Sequence, residues 1–367
     1  MSTKKDNFTL KDKFYMEIAL DLARSRHGLT GSNPSVGCVI VKNDKIISIG
    51  QTSFNGRPHA ESNAIKNSFE DLKGSKMYVT LEPCCHHGLT PPCTDAIIKS
   101  KISEVIYSVT DIDKRVRNKS FKILNSKKIV VKKGLLKNKI KNFYYPYFFN
   151  RKKKLPYVTG KIAISKNNII YSKYQKKITN IYSDQFTHLL RYQNDGLMIT
   201  YKTLNKDNPK LNCRLKGVKN FSPKRIILDN NLNTKTNSHI IKTSNNKNTL
   251  IFYNKADKSK ISKFKKKGII LIKSKVFIDN KFDMREILKK LYNFGCRNLL
   301  IEGGNDLTNS LIKIKFFNKF YLFKSPKNLS KSSEYLKFSG MKTLNQKYKT
   351  KINLNLNLRK DRITLYR

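Results

Sequence analysis

The 367-residue chain contains no run of about 18 or more apolar residues, the length that a helix needs to cross a bilayer. A transmembrane helix is therefore not expected. The N-terminal stretch MSTKKDNFTL lacks the apolar core of a secretory signal peptide. The six cysteines fit a reducing compartment without a disulfide framework. We therefore expect a cytoplasmic protein with no membrane partner.

Acidic residues are scarce: 25 Asp and Glu stand against 76 Lys and Arg, which gives a formal net charge of +51. A positive field of this size attracts phosphates and is typical of nucleic-acid-binding proteins. The lysines are spread along the chain among Asn and Ile, however, as in KSKISKFKKKGIILIKSK. Such a bias is what an A/T-rich coding sequence produces. We therefore expect no specific nucleic-acid partner, while the field suits small anionic ligands.

Internal repeats of a solenoid period are absent, and the length indicates two domains. A boundary is predicted near RKKKLP, residues 151–156, which gives domains over 8–150 and 156–367. The aromatic stretch YYPYFF before it is interpreted as a core or interdomain patch. The first domain alternates helix and strand signals, which predicts an α/β sheet covered by helices on both faces. The predicted elements are a helix over 14–26 and strands over 36–41, 77–81 and 104–109.

Two motifs supply one histidine, two cysteines and one free carboxylate, namely HAE at 59–61 and PCCHHGLTPPC at 83–93. A catalytic zinc site needs three protein ligands and a fourth position open for water. His59, Cys84 and Cys93 meet that requirement, and Glu61 would serve as the proton shuttle. The motifs therefore predict a zinc-dependent hydrolytic deaminase.

The predicted positions of these residues support the site. HAESNAIKNSF is predicted as a helix with Ala60, Ala64, Ile65 and Phe69 turned towards a core. Cys84 follows the strand candidate KMYVTL, and Cys93 begins the helix candidate CTDAIIKS. The ligands thus lie at the ends of strands and helices, where α/β proteins place active sites.

Three further residues that could bind a metal directly follow Cys84 in the sequence. Cys85, His86 and His87 are alternative zinc ligands. For the two histidines, lining the substrate pocket is the favoured interpretation.

The eight-residue spacing between Cys84 and Cys93 resembles the deaminase half of the bifunctional riboflavin-biosynthesis deaminase/reductase family. Most other cytidine-deaminase-like enzymes, including tRNA adenosine deaminases, carry the short PCxxC spacing. The segment NPSVGCVIVKNDKIISIG is similar to the family's NPxVG strand and hairpin. The resemblance implies a cytidine-deaminase-like three-layer α/β/α fold and a diaminopyrimidinone substrate bearing a phosphoribosylamino group, with Asn33 near the pyrimidine.

In the second half, RNLLIEGGNDLTNSLIK predicts a strand, two glycines and a helix. Gly303 and Gly304 lack Cβ atoms and would let a phosphate approach the backbone N–H groups at the helix start. A plain tight turn explains the two glycines equally well.

The segments LLRYQNDGLMITYKTLNKDNPKLNCR, KRIILD and EGG resemble the family's reductase half, which has a dihydrofolate-reductase-like α/β fold and uses NADPH. The resemblance also implies a homodimer or higher homo-oligomer built through these domains. The residues that it assigns to NADPH are Thr203, Asp207, Asn230, Gly304, Asn305, Asp306 and Leu307. Those that it assigns to the substrate are Arg191, Leu211, Arg214 and Glu302.

The chain departs from the family at one turn. Where members have an SLDG-like turn and later a Trp, this chain has ISKNNIIY and no Trp at all. Asn168 can replace the glycine because Asn tolerates left-handed geometry, and Lys176 or Lys177 is a candidate for the cofactor's 2′-phosphate.

Two alternatives therefore stand beside the bifunctional enzyme. One is an active deaminase with a degenerate reductase domain, and the other is a nucleic-acid-editing zinc deaminase. The long cysteine spacing and the DNP and EGG segments argue against the editor.

Overall fold

A computed structural model describes residues 8–173, 175, 177–245, 248–331 and 334–367. The chain divides into two compact units, Met1–Lys154 and Leu155–Arg367. Lys176, one of the two cofactor candidates above, lies outside the described residues. Among the residues described, none of the helices combines the length and apolar character that a membrane span requires.

The first unit is built around a five-stranded sheet. Its helices and strands are α1 (Leu10–Ser25), β1 (Gly37–Lys42), β2 (Lys45–Gln51), α2 (Ala60–Lys66), β3 (Lys76–Leu81), α3 (Cys93–Lys99), β4 (Glu104–Val109), α4 (Lys119–Ser126), β5 (Val130–Lys133), α5 (Lys137–Phe143) and α6 (Tyr145–Lys153). The strand order is β2-β1-β3-β4-β5. Strand β1 is antiparallel to both neighbours, whereas β3, β4 and β5 are parallel.

Helices cover both faces of this sheet. A Cβ atom at Gly37 would lie 1.9 Å from the backbone oxygen of Ala19 in α1, and one at Gly50 would lie 2.2 Å from that of Ala60 in α2. Gly50 pairs with Cys38, the residue after Gly37, so the two glycines face opposite sides. The predicted three-layer α/β/α arrangement is confirmed.

Helix α2 is shorter than predicted, which corrects one core assignment. It ends at Lys66, and the Ser68 hydroxyl then accepts a hydrogen bond from the Glu70 N–H in a turn. Phe69 is fully exposed in that turn. The prediction that Phe69 faces the core is therefore wrong, because the helical periodicity stops before it.

The second unit contains a nine-stranded sheet and a separate two-stranded one. Its elements are β6 (Tyr157–Ile164), β7 (Ile169–Ser172), α7 (Ile181–Tyr192), β8 (Gly196–Thr200), α8 (Tyr201–Asp207), β9 (Lys224–Leu228), α9 (His239–Lys242), β10 (Thr249–Tyr253), α10 (Lys258–Lys266), β11 (Ile270–Lys273), α11 (Met284–Asn293), β12 (Asn298–Ile301), α12 (Asn305–Lys313), β13 (Lys319–Lys324), β14 (Tyr335–Lys337), α13 (Met341–Lys347), β15 (Lys351–Asn353) and β16 (Arg362–Tyr366).

The large sheet has the order β11-β10-β9-β8-β12-β6-β13-β16-β15. The first seven strands of this order, from β11 through β13, are parallel to one another. At the β13 edge, β16 pairs antiparallel with β13, and β15 pairs antiparallel with β16. Along β8, Leu197 and Ile199 join one buried cluster and Met198 joins another. Both faces are therefore covered, which explains why these strands are continuous apolar runs in the sequence.

The turn between β6 and β7 contains the segment that departs from the family pattern. Asn168 has a φ of +62°, the left-handed geometry predicted for it. The Ser165 hydroxyl accepts a hydrogen bond from the Ile169 N–H at 2.8 Å, and the Asn167 amide donates to the Leu329 carbonyl at 2.8 Å. The altered turn is thus closed by its own side chains without an Asp-Gly pair.

Candidate active sites

Three donor atoms converge in the first unit. The Nδ1 atom of His59 lies 3.4 Å from the Cys84 sulfur and 3.5 Å from the Cys93 sulfur. All three donor atoms lie within 4.8 Å of one another. In a tetrahedral zinc site with Zn–N of about 2.0 Å and Zn–S of about 2.3 Å, an N–S edge measures about 3.5 Å. The donor set and its spacing therefore fit zinc.

The electrostatics of the two sulfurs also suit a metal. The hydrogen bond from Cys93, together with His59, lowers the pKa of Cys84 to about 4 despite its burial. The backbone N–H of Cys93, at the start of α3, donates to the Cys84 sulfur at 3.3 Å. Cys84 is therefore a thiolate at neutral pH, the form that binds zinc.

The three alternative ligands lie outside this group. The Cys85 thiol donates to the Arg115 carbonyl at 3.4 Å. His86 lines the cavity beside the zinc donors, as predicted. His87 is exposed, 4.0 Å from Asp95, and is not among the residues that line this cavity.

Glu61 lies in the first turn of α2, two residues after His59, and only 4% of its surface is exposed. Burial raises the pKa of its carboxyl to about 7. A group that takes and returns a proton works best with a pKa near the operating pH. Glu61 also lines the cavity that contains His59 and Cys84, so its position and its pKa suit a proton shuttle.

Besides Glu61, His86 and two of the zinc donors, the cavity contains the predicted residue Asn33 and several residues that the sequence did not predict. Asn33 lines it and is held in place because its amide donates to the Gly56 carbonyl at 2.9 Å. Asp111, just after β4, is buried, and burial raises its pKa. The Tyr147 hydroxyl donates to it at 3.3 Å. Tyr147 belongs to the aromatic stretch interpreted as core, so that interpretation is incomplete for this residue.

In the second unit, three predicted cofactor residues follow adjacent parallel strands. Thr203, Asn230 and Gly304 come after the carboxyl ends of β8, β9 and β12. Such loops meet at one edge of the sheet and form ligand sites there. A Cβ atom at Gly304 would lie 3.5 Å from the Thr203 hydroxyl, which shows that the start of α8 and the turn before α12 lie close together.

The remaining cofactor candidates surround these loops. Asn305, Asp306 and Leu307 form the first turn of α12, whose N-cap Gly304 offers no side-chain hydrogen bond. Backbone N–H groups at this helix start fit a phosphate. Asp207 ends α8 and is exposed.

Two polar side chains that are candidates for binding the cofactor, Asn230 and Lys177, pair with other protein groups in this structure. The Asn230 amide donates to the Asn280 carbonyl. Lys177 lies 3.0 Å from Asp184 in an ion pair.

The predicted substrate residues Arg191 and Glu302 form a largely buried two-point ion pair, with 12% and 14% of their side chains exposed. Its Nε–Oε1 and Nη2–Oε2 distances are both 2.8 Å. Burial raises the pKa of Glu302, but Arg191 outweighs it and brings the pKa to about 2. Arg191 and Arg214 both donate to Asn212, at 3.2 and 3.1 Å. Leu211 beside them is buried.

Two further basic residues of this region, Lys161 and His188, were not predicted from the sequence. Lys161 in β6 is half-buried, and desolvation lowers its pKa although Glu302 acts in the opposite direction. Burial and then Arg191 lower the pKa of His188 to about 4. In the described part of the chain, the His188 Nδ1 atom is buried without a hydrogen-bond partner. Neither residue stands in a motif from which sequence reasoning could have found it.

Both halves of the chain match known protein families. The RibD C-terminal domain matches residues 156–361, and the cytidine and deoxycytidylate deaminase zinc-binding region matches residues 9–109. The riboflavin biosynthesis protein RibD of Aquifex aeolicus is 35% identical over 86% of this chain and 87% of its own length. The RibD protein of Actinobacillus pleuropneumoniae is 34% identical over 87% and 85%.

Solved structures give the same result. A form of Acinetobacter baumannii RibD has a TM-score of 0.82 at 25% identity and covers 97% of this chain and 98% of its own. A Thermotoga maritima diaminohydroxyphosphoribosylaminopyrimidine deaminase/5-amino-6-(5-phosphoribosylamino)uracil reductase has a TM-score of 0.79 at 26% identity, with the same coverage. The predicted fold class and the predicted bifunctional family are confirmed. The chain belongs to the RibD family, the zinc-dependent deaminases and NADPH-dependent reductases of riboflavin biosynthesis.

Proposed function

We propose that His59, Cys84 and Cys93 hold the zinc ion and that Glu61 moves the proton during deamination. The substrate is the family's diaminohydroxyphosphoribosylaminopyrimidine, whose ring amine leaves as ammonia. The observation that carries this proposal is the convergence of the three donor atoms within 4.8 Å beside a buried carboxyl. We assign this reaction to residues 8–150.

The zinc ion, Glu61 and Asn33 have different roles in the deamination. Zinc, when bound, lowers the pKa of a coordinated water to about 7. Glu61 takes the proton from the attacking water and returns it to the departing amine, so that water is consumed and ammonia released. Asn33, fixed by its hydrogen bond to Gly56, orients the pyrimidine ring.

We assign the reductase to residues 156–367. Thr203, Asp207, Asn230 and the segment 304–307 would hold NADPH, which supplies a hydride when it is bound. The proximity of Thr203 in α8 to Gly304 before α12 supports this assignment. Arg191, Leu211, Arg214 and Glu302 would hold the phosphoribosylaminouracil. The Glu302 carboxylate already pairs with Arg191, so the planar guanidinium of Arg214 is the group that suits the substrate phosphate.

Replacing Glu302 with glutamine tests the second assignment. The change leaves the buried Arg191 guanidinium without its carboxylate, and breaking a buried pair costs about 3–5 kcal/mol. We expect NADPH oxidation with the aminouracil substrate to fall at least about 100-fold, while ammonia release by the first unit continues. The readout is absorbance at the nicotinamide band.

Glu334→Gln is the matched control, because Glu334 pairs with Lys206 at 2.6 Å but is 56% exposed. An exposed ion pair contributes little to stability because solvent screens it, so this variant should keep its reductase activity. Equal behaviour of the two variants would refute the role of Glu302.

A cytosolic location and a homo-oligomeric assembly, the latter implied by the family resemblance, complete the proposal. All six cysteines are free, which is in keeping with a reducing compartment. Light scattering of the purified chain measures the assembly, with a dimer or larger species expected.

A further inference from the structure

Three arginines line the cavity of the first unit, Arg57, Arg115 and Arg151. They differ in how their charge is balanced. Arg115 donates from Nε and Nη2 to the two oxygens of Asp113, at 3.1 and 2.6 Å. Its guanidinium is therefore already occupied by a carboxylate in the two-point geometry that an anionic ligand would need.

Arg57 has no such partner. Its one hydrogen bond runs from Nη1 to the Thr90 hydroxyl at 2.5 Å, and among the described residues none of the ion pairs involves it. Thr90 fixes one corner of the guanidinium. The Nε and Nη2 edge stays available for an acceptor that comes from outside the chain.

The carboxylates of the cavity are committed elsewhere. Glu82 accepts from the Asp111 N–H, the Asn118 N–H and the Ser120 hydroxyl, at 3.2, 3.1 and 2.7 Å. Asp111 accepts from Tyr147. Glu61 is the proton shuttle in the proposed reaction. The positive charge of Arg57 is thus left for a ligand.

Gly88 lies between Arg57 and His86. A Cβ atom at Gly88 would lie 3.6 Å from Arg57 Nη2 and 3.9 Å from His86 Nε2, in van der Waals contact with both, so the glycine leaves a gap of about one methyl group between the two side chains. Arg57 itself is half-buried and His86 lines the cavity. The guanidinium therefore stands at the edge of the cavity, held by the same loop that carries Cys84 and Cys93.

Arg151 adds a second positive charge to the cavity. Its Nη2 donates to the Ser32 carbonyl at 3.3 Å, and its guanidinium lies 5.4 Å from the centre of the Tyr147 ring. Neither contact is with an anion. The cavity therefore combines the zinc donors with two guanidinium groups that carbonyl, hydroxyl and aromatic groups hold in place.

We propose that Arg57 binds the phosphate of the deaminase substrate and makes this reaction selective for the phosphorylated compound. The inference rests on the proposed function, because it takes the substrate from it. Guanidinium groups bind phosphate through two parallel N–H···O bonds, which the open Arg57 edge can supply. The Thr90 contact orients that edge, and Arg151 adds to the positive field at the cavity.

The test is Arg57→Gln in the full-length, zinc-loaded chain, assayed for ammonia release with the phosphorylated substrate and with its dephosphorylated nucleoside. The measured quantity is the ratio of kcat/KM for the two compounds. A charge-assisted hydrogen bond contributes about 1.5–3 kcal/mol, so we expect the ratio to fall about 10- to 100-fold, mainly through KM of the phosphorylated compound. Arg24→Gln removes a charge from an exposed site of the same unit and should leave the ratio unchanged.

The possible outcomes distinguish failure of the Arg57 inference from failure of the proposed deaminase function. A lower ratio with undiminished zinc supports Arg57 as the phosphate ligand. A wild-type ratio in Arg57→Gln, or an equal loss with both compounds, overturns the inference while the proposed function stands. A wild-type chain that contains zinc and deaminates neither compound overturns the proposed function, and the inference with it.

Discussion

Replacing Cys84 with serine will release zinc from the first unit and abolish ammonia release. A serine hydroxyl stays protonated at neutral pH, whereas the Cys84 pKa of about 4 makes that side chain a thiolate. Two ligands remain, and a catalytic zinc site needs three from the protein. Elemental analysis of the purified chain gives the metal content directly, and NADPH oxidation with the aminouracil should continue because the second unit has its own core.

Cys85→Ser is the matched control for this variant. Cys85 is the next residue along the chain, but its thiol is bonded to the Arg115 carbonyl rather than directed at the zinc donors. We expect it to retain zinc and ammonia release. An undiminished metal content in Cys84→Ser would refute the ligand set, and loss of metal from Cys85→Ser would show that the set is larger.

Glu61→Gln should retain zinc and lose deamination by about 10²- to 10⁴-fold, the usual contribution of a positioned acid or base. Glutamine has nearly the same shape as glutamate, so the proposed zinc ligands His59, Cys84 and Cys93 should keep their positions. It can neither accept the proton of the water nor deliver it to the leaving amine. The measurement is ammonia release by a variant whose metal content has been determined.

Glu17→Gln serves as the control for Glu61→Gln, since Glu17 is 51% exposed in the same unit and pairs with Lys139. Its deaminase activity should match that of the wild type. Appreciable turnover by zinc-loaded Glu61→Gln would contradict the role of Glu61 in proton transfer, because another group would then have to carry the proton.

Local sequence was enough to predict which three donor atoms converge in the first unit and which elements position them. His59 lies just before α2, Cys84 follows β3, and Cys93 begins α3. Each of these positions is marked by a change in hydrophobic periodicity, which is a short-range signal. The left-handed Asn168 was predictable for a similar reason, because few residues tolerate that geometry.

What sequence did not predict depends on contacts between distant residues. Glu302 and Arg191 are 111 positions apart, and nothing in either motif indicates that they pair. Tyr147 reaches Asp111 across 36 positions, and this contact brings an aromatic residue expected in the core into the cavity. Phe69 shows the converse case, in which a continued periodicity predicts burial but the helix has already ended.

The central claim is that this one chain deaminates its substrate and then reduces the product. The most direct test gives the purified zinc-loaded chain the diaminohydroxyphosphoribosylaminopyrimidine together with NADPH, and follows ammonia and nicotinamide absorbance in the same sample. We predict that both signals appear, with NADPH oxidation following ammonia release and reaching one equivalent per ammonia. Ammonia release without any NADPH oxidation would contradict the claim and leave a deaminase with an inactive second unit.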